Sequence, residues 1–172
     1  YTKPYFDEVN EDNTPDHKRS YVSTVNSYMS KSYRRVTGKY LGQTINYDNL
    51  LNWAIDDATD SDLQNLFGSF FVVDEGQDFS PSFYQLLGEA WRRLKDKFCP
   101  TILADENQIL NEHTNSSIND IRSGLGLIAK MVSSFGEKEL TINYRNTREI
   151  ATLANFFYDD TASTPPIPPN IA

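Results

Sequence analysis

Apolar positions in this chain change period along its length. Between residues 21 and 36, Tyr21, Val25, Tyr28, Met29, Ser32 and Val36 recur at helical spacing, which predicts an amphipathic helix with several of its tyrosines turned to a core. After a break from Gly38 to Gln43, residues 47 to 57 and 61 to 67 read as shorter helices, with Asp48 and Ser61 in capping positions. From residue 68 the pattern becomes short apolar runs alternating with longer amphipathic ones. Strands are expected near residues 69 to 74, 100 to 104 and 138 to 142, and helices near 81 to 97, 117 to 134 and 147 to 158. The run Phe-Phe-Val-Val at residues 70 to 73 is too short for a helix and reads as a strand buried on both faces. Alternation of this kind predicts an α/β fold with a parallel sheet, right-handed crossovers and flanking helices, preceded by a helical segment.

Four regions follow from the same reading: an acidic, extended lead over residues 1 to 16, the helical segment over 17 to 67, the α/β portion over 68 to 160, and a tail over 161 to 172. The tail carries Pro-Pro-Ile-Pro-Pro, a semi-rigid polyproline II spacer.

Composition narrows the class. With 38% hydrophobic and 13% aromatic residues in 172, the chain can bury the core of one domain. Its one cysteine, Cys99, excludes an internal disulfide and a Cys-rich zinc site, and its place at the start of the second strand suggests plain packing. No stretch reaches membrane-spanning length and the N-terminal residues show no signal pattern, so a cytoplasmic setting is the default.

A net charge of −8 argues against an autonomous nucleic-acid binder, but the charge is uneven. Between His17 and Tyr47 there is no Asp or Glu, while Lys18, Arg19, Lys31, Arg34, Arg35 and Lys39 are interleaved with tyrosines. Cations among aromatics suit single-stranded nucleic acid, with phosphates on the cations and bases on the rings.

The chemistry concentrates after the first strand. Asp74, Glu75, Gln77 and Asp78 follow it in one turn, and ligands in open α/β sheets bind at the carboxyl ends of strands. Asp74 can hold Mg²⁺ directly or through water. Glu75 can accept a proton from an attacking water or orient it. A second acid-ended strand reads Thr-Ile-Leu-Ala-Asp-Glu-Asn-Gln over residues 101 to 108. Gln108 both donates and accepts, which suits a phosphate sensor; Asp105, with Gln77 and Asp78, is a candidate for the cofactor side of the site, and capping or solvating the loop is the alternative for Asp105 and Glu106. A third segment, ending Asn-Tyr-Arg at residues 143 to 145, offers the flat ring of Tyr144 and the permanently charged fork of Arg145.

In order and content these segments resemble motifs II, III and IV of UvrD and Rep type superfamily 1 helicases, over roughly residues 68 to 158. The resemblance implies part of a RecA-like motor domain using ATP and Mg²⁺ on DNA. Asp74 and Glu75 would be the Walker B pair, Gln108 the γ-phosphate sensor, Tyr144 the adenine platform and Arg145 a γ-phosphate contact. Gln77 and Asp78 would support the site, linking the turn to the segment around Gln108. A fainter match at residues 23 to 27 assigns Thr24 and Asn26 to the nucleic-acid backbone, beside Lys31, Arg34 and Arg35.

Two departures stand out. Ile109, Leu110 and Asn111 follow Gln108 where these enzymes usually place a base-stacking aromatic. The P-loop pattern Gly-x-x-x-x-Gly-Lys-Ser/Thr is missing: before the pair Gly38 and Lys39, position 33 is Tyr, and Tyr40 stands where the hydroxyl belongs. The expectation is therefore a portion of a larger polypeptide that supplies the P-loop and a second motor domain, and is inactive without them. A non-catalytic interaction module and a metal-dependent nuclease built on Asp74, Glu75 and Asp78 are the alternatives.

Overall fold

A computed structural model describes residues 23–42, 44–105, 108–109, 114–127, 136–138 and 147–155. The strand expected at 138 to 142, the tail, and the Tyr144 and Arg145 positions fall outside these residues except for Lys138. The chain divides into two compact units with the boundary between Asn46 and Tyr47.

In the first unit, α1 (Val25–Thr37) has Thr24 as its N-cap, the side chain accepting from the Ser27 amide, and ends at Gly38 with φ 73°. Glycine suits that left-handed cap because it has no Cβ to clash. Met29, Ser32 and Tyr33 are its buried positions, whereas Tyr28, Val25 and Val36 are half-buried.

The second unit begins with α2 (Tyr47–Asp56) and α3 (Asp60–Phe67). Strand β1 (Phe70–Val73) leads through a 3-10 turn (Gly76–Asp78) into α4 (Pro81–Leu94). A second 3-10 turn (Lys95–Lys97) precedes β2 (Cys99–Ile102), and α5 (Ile118–Gly124) and α6 (Arg148–Asn155) follow. The strands β1 and β2 pair in parallel, Phe70 opposite Cys99 and Val73 opposite Ile102. Strand, helix and parallel strand in this order form the α/β unit the sequence pattern predicts.

Helix α4 is the centre of the unit. Pro81 at its start lacks the N–H that a first helical residue cannot use, and Phe83, Tyr84, Leu86, Leu87, Ala90 and Leu94 are buried. Leu50 and Ala54 of α2 and Leu63, Leu66 and Phe67 of α3 are buried as well. Each large apolar side chain removed from water in this way is worth roughly 1.5–3 kcal/mol. Helices α2 and α3 thus belong to the same unit as the sheet.

Arg93 fastens these helices together. Its guanidinium donates to the Ala54 and Ala58 carbonyls, each at 2.8 Å, and to Asp60 Oδ1 at 2.8 Å. Phe67 stacks edge-on against Phe71 at 5.4 Å and lies 5.4 Å from Phe98, anchoring one face of β1.

Several local expectations need correction. Strand β1 is not buried on both faces: Phe71 and Val73 are buried, but Phe70 is 82% and Val72 63% exposed, because the apolar anchors described above lie on the Phe71 side. Cys99 is exposed, since alternation along β2 turns its side chain outward. The cap of α3 is Thr59, which forms a reciprocal capping box with Asp62, and Ser61 lies inside the first turn. Asp48 is likewise within the first turn of α2 and accepts a hydrogen bond from Ser82. Helix α4 ends at Leu94, short of residue 97, where Lys95 takes φ 51°.

Among the described residues no helix is long and apolar enough to cross a membrane.

Candidate functional site: the turn after the first strand

Parallel pairing puts the carboxyl ends of β1 and β2 side by side. The Leu103 amide donates to the Val73 carbonyl at 2.9 Å, and the Gly76 amide donates to the Leu103 carbonyl at 2.7 Å. The ladder therefore continues one step past each strand, and the Asp74–Glu75 turn and Asp105 emerge at the same edge.

Glu75 adopts φ 52°, ψ 48°. This left-handed conformation costs a non-glycine residue about 1–2 kcal/mol, and it persists only where neighbours over-determine it. Three sets of contacts do so. The Glu75 amide donates to Asp74 Oδ1 at 3.1 Å. The Asp78 amide donates to the Glu75 carbonyl at 3.0 Å. Below the turn, the buried Tyr84 hydroxyl donates to the Gly76 carbonyl; burial pushes the Tyr84 phenol well above its usual value, so it remains the proton donor.

Gly76 has no room for a side chain. A Cβ there would stand 2.6 Å from Ile102 Cγ2 and 2.9 Å from the Tyr84 hydroxyl. The residue after the acid pair is small so that the turn can lie directly on β2 and α4.

Gln77 is 2% exposed and spans the two acid-ended loops. Its Nε2 donates to Glu75 Oε2 at 2.8 Å, and its Oε1 accepts from the Asp105 amide at 3.0 Å. The expected link from Gln77 to the segment around Gln108 is thus the hydrogen bond that its Oε1 accepts from the Asp105 backbone N–H. Asp105 Oδ2 in turn accepts from Gln108 Nε2 at 2.9 Å. Gln77, expected on the cofactor side of the site, has almost no exposed surface, and both polar atoms of its amide bond neighbouring groups of the chain.

A third segment holds the turn from the other side. The Ser116 amide donates to the Gln77 carbonyl at 2.9 Å, the Ser116 hydroxyl donates to the Phe79 carbonyl at 2.7 Å, and Asn115 Nδ2 donates to Asp78 Oδ1 at 3.3 Å. Phe79 packs on Phe83 with centroids 4.6 Å apart. Ser116 and Tyr84 were not singled out from the sequence; nothing in their local spacing marks a serine or tyrosine that will satisfy a distant backbone group.

The carboxylates of Asp74, Glu75 and Asp78 and the amide of Gln108 are exposed. Among the described residues no group of three or more His, Cys, Asp or Glu is arranged to hold a metal by itself. Two exposed carboxylates on one turn fit Mg²⁺, which keeps several waters and is usually bound through one or two carboxylates together with phosphate oxygens. A cavity of about 250 Å³ lies elsewhere, lined by Leu51, Ile55, Gln85, Glu89, Arg92 and Leu125 among others; it is not at this turn.

The candidate nucleic-acid residues sit in the first unit. Lys31, Arg34 and Arg35 are exposed on α1. Thr24 spends its hydroxyl on the helix cap, and Asn26 is exposed beside it. Tyr144 and Arg145 lie outside the described residues, so the nucleotide contacts expected of them have no geometry here. The sequence matches no protein-family model and no curated protein.

Proposed function

We propose that this chain is part of the RecA-like motor domain of an ATP-dependent, UvrD-like DNA helicase or translocase, and that it supplies the Walker B and γ-phosphate-sensing side of the ATP site. The observation that carries the proposal is the meeting of two acid-ended loops at one end of a parallel strand pair, with Gln77 bonded to both Glu75 and Asp105. The left-handed Glu75 adds support, since strain of this kind collects at functional turns.

In this reading Asp74 holds Mg²⁺ through its carboxylate or a bound water, and Glu75 orients the attacking water and takes its proton. Bound Mg²⁺–ATP supplies the phosphoryl group and the charge neutralisation on its oxygens. Gln108 discriminates bound from hydrolysed nucleotide, Tyr144 packs on the base and Arg145 stabilises charge on the transferring phosphoryl group. The 172 residues contain no P-loop, so this reading requires a phosphate cradle and a second motor domain from outside them. The exposed cations of α1, Lys31, Arg34 and Arg35, contribute to DNA contact, and the setting is cytoplasmic.

The test is ATP turnover in the polypeptide that includes a P-loop. Glu75→Gln should abolish turnover while sparing nucleotide binding, and the 172-residue chain should show no turnover of its own. Hydrolysis by that chain which vanished in Glu75→Gln would sink the divided-site reading. Turnover left intact by Arg145→Ala would remove the role given to the third segment.

A further inference from the structure

Four residues form one continuous hydrogen-bonded line at the edge of the sheet, through three side chains, the Asp105 backbone N–H and the Asp105 carboxylate. Glu75 Oε2 accepts from Gln77 Nε2 at 2.8 Å, Gln77 Oε1 accepts from the Asp105 amide at 3.0 Å, and Asp105 Oδ2 accepts from Gln108 Nε2 at 2.9 Å. The two ends of the line, Glu75 and Gln108, are exposed. Its middle, Gln77, is buried.

We propose that Gln77 is a positioning residue that couples the Glu75 side chain to the Asp105 and Gln108 loop, so that a change at one exposed end is felt at the other. Its functional meaning rests on the ATP-site reading above. The coupling itself is a property of the nucleotide-free chain.

Gln77 has one amide orientation open to it. Turned over, it would aim its NH₂ at the Asp105 N–H and its carbonyl oxygen at the Glu75 carboxylate, which sets donor against donor and acceptor against acceptor. The orientation that satisfies Glu75 is therefore the one that satisfies Asp105. Burial strengthens this tie, since a dry site offers an unpaired amide no water in place of the lost partner. When Glu75 leaves Gln77 for another partner, the Gln77 amide loses the acceptor that fixes its plane, and the hold on Asp105 and through it on Gln108 loosens. In an ATP site this would make the state of the catalytic carboxylate and that of the sensor glutamine interdependent.

The backbone alone does not provide this link. Gly76 is tied to Leu103 by main-chain bonding, and Ser116 fixes the Gln77 carbonyl. Those bonds hold the turn in place whatever the Glu75 side chain does. Among the described residues, the Gln77 side chain is the group that bonds the Glu75 carboxylate and also reaches the Asp105 loop.

Hydrogen exchange and amide chemical shifts of the 172-residue chain test the coupling. Glu75→Ala should displace the Asp105 backbone amide and Gln108 side-chain amide signals and speed Asp105 exchange roughly fivefold to tenfold, the equivalent of one hydrogen bond. In a Gln77→Met background, which keeps the length but not the hydrogen bonds, the same Glu75→Ala change should leave both signals where Gln77→Met alone puts them. Should Gln77→Met fail to fold, Gln77→Asn serves, since it retains an amide one methylene too short to span the loops.

Displacement of Asp105 by Glu75→Ala of equal size with and without Gln77 would overturn the proposal, and so would no displacement in the wild-type background. Because no nucleotide is present, these outcomes are separate from the fate of the ATP reading: a parent without turnover overturns that reading and leaves the coupling standing.

Discussion

Gly88 in α4 lies so close to Gly124 at the end of α5 that a Cβ on Gly88 would stand 2.3 Å from the Gly124 carbonyl oxygen. In the other direction a Cβ on Gly124 would stand 2.5 Å from Tyr84 Cβ. The two helices therefore touch backbone to backbone, and Tyr84, whose hydroxyl holds the Gly76 carbonyl under the acidic turn, sits in that contact.

Gly88→Ala should destabilise the chain despite alanine's better helix propensity. Propensity favours the change by about 1 kcal/mol, but the obstacle is a main-chain oxygen that cannot swing aside, and overpacking of this kind costs about 1–3 kcal/mol. A lowered urea midpoint with an unchanged slope is the expected result. Gly124→Ala should be worse for the acidic turn than Gly88→Ala, because it displaces Tyr84 directly; faster amide exchange at Gly76 and Gln77 would report it.

Glu75→Asn should cost less stability than Glu75→Val, because both lose the acceptor that Gln77 Nε2 uses but asparagine tolerates the left-handed region. Glu75→Val should lower stability, since a β-branched side chain is the least suited to φ 52°. Denaturant titrations of the two variants check the sign. Under the proposed function, Glu75→Asn also removes turnover in the parent.

Arg93→Ala should cost about 2 kcal/mol, since it removes charge-assisted bonds to the Ala54 and Ala58 carbonyls. The Asp60 pair contributes little to that figure, because the aspartate is largely exposed. Arg93→Lys should restore only part of the loss, as one ammonium cannot reproduce a planar fork reaching three acceptors. Thermal unfolding of the two variants side by side gives the comparison.

Thr59→Ala should lose a helix cap, about 0.5–2 kcal/mol at neutral pH, and should also flatten the acid limb of the stability curve. Hydrogen bonds from Thr59, side chain first and then backbone, hold the Asp62 carboxyl below its usual value. A carboxyl lowered in the folded state contributes stability above its unfolded value, and that contribution is lost as pH falls from about 4 through the lower folded value. Urea midpoints at pH 7 and pH 3 should therefore differ less in Thr59→Ala than in the original.

Periodicity alone located β1, β2, α2, α3 and α4 to within a few residues, because strand and helix periods are local properties of side-chain spacing. Helix caps are not fixed by residue type in the same way. Thr59 and Ser61 are both acceptable caps by residue type, and only the reciprocal bonds with Asp62 single out Thr59. The two-sided burial expected for β1 failed because an all-apolar run does not say which of its faces meets a helix. The acid pair, Asp105 and Gln108 were visible as residue types at strand ends.

What the sequence by itself determined is the set of local elements and the acids, amides and cations they carry, since spacing and composition need no partner. Tertiary structure alone decided the register in which β1 and β2 pair, that Gly76 is walled in by Ile102 and Tyr84, and which atoms of Gln77 meet the Glu75 carboxylate and the Asp105 N–H. Each of these is a contact between groups distant along the chain or a backbone state stabilised by such contacts. A buried glutamine and an exposed one read alike until the fold places a carboxylate on one side of the amide and a backbone N–H on the other.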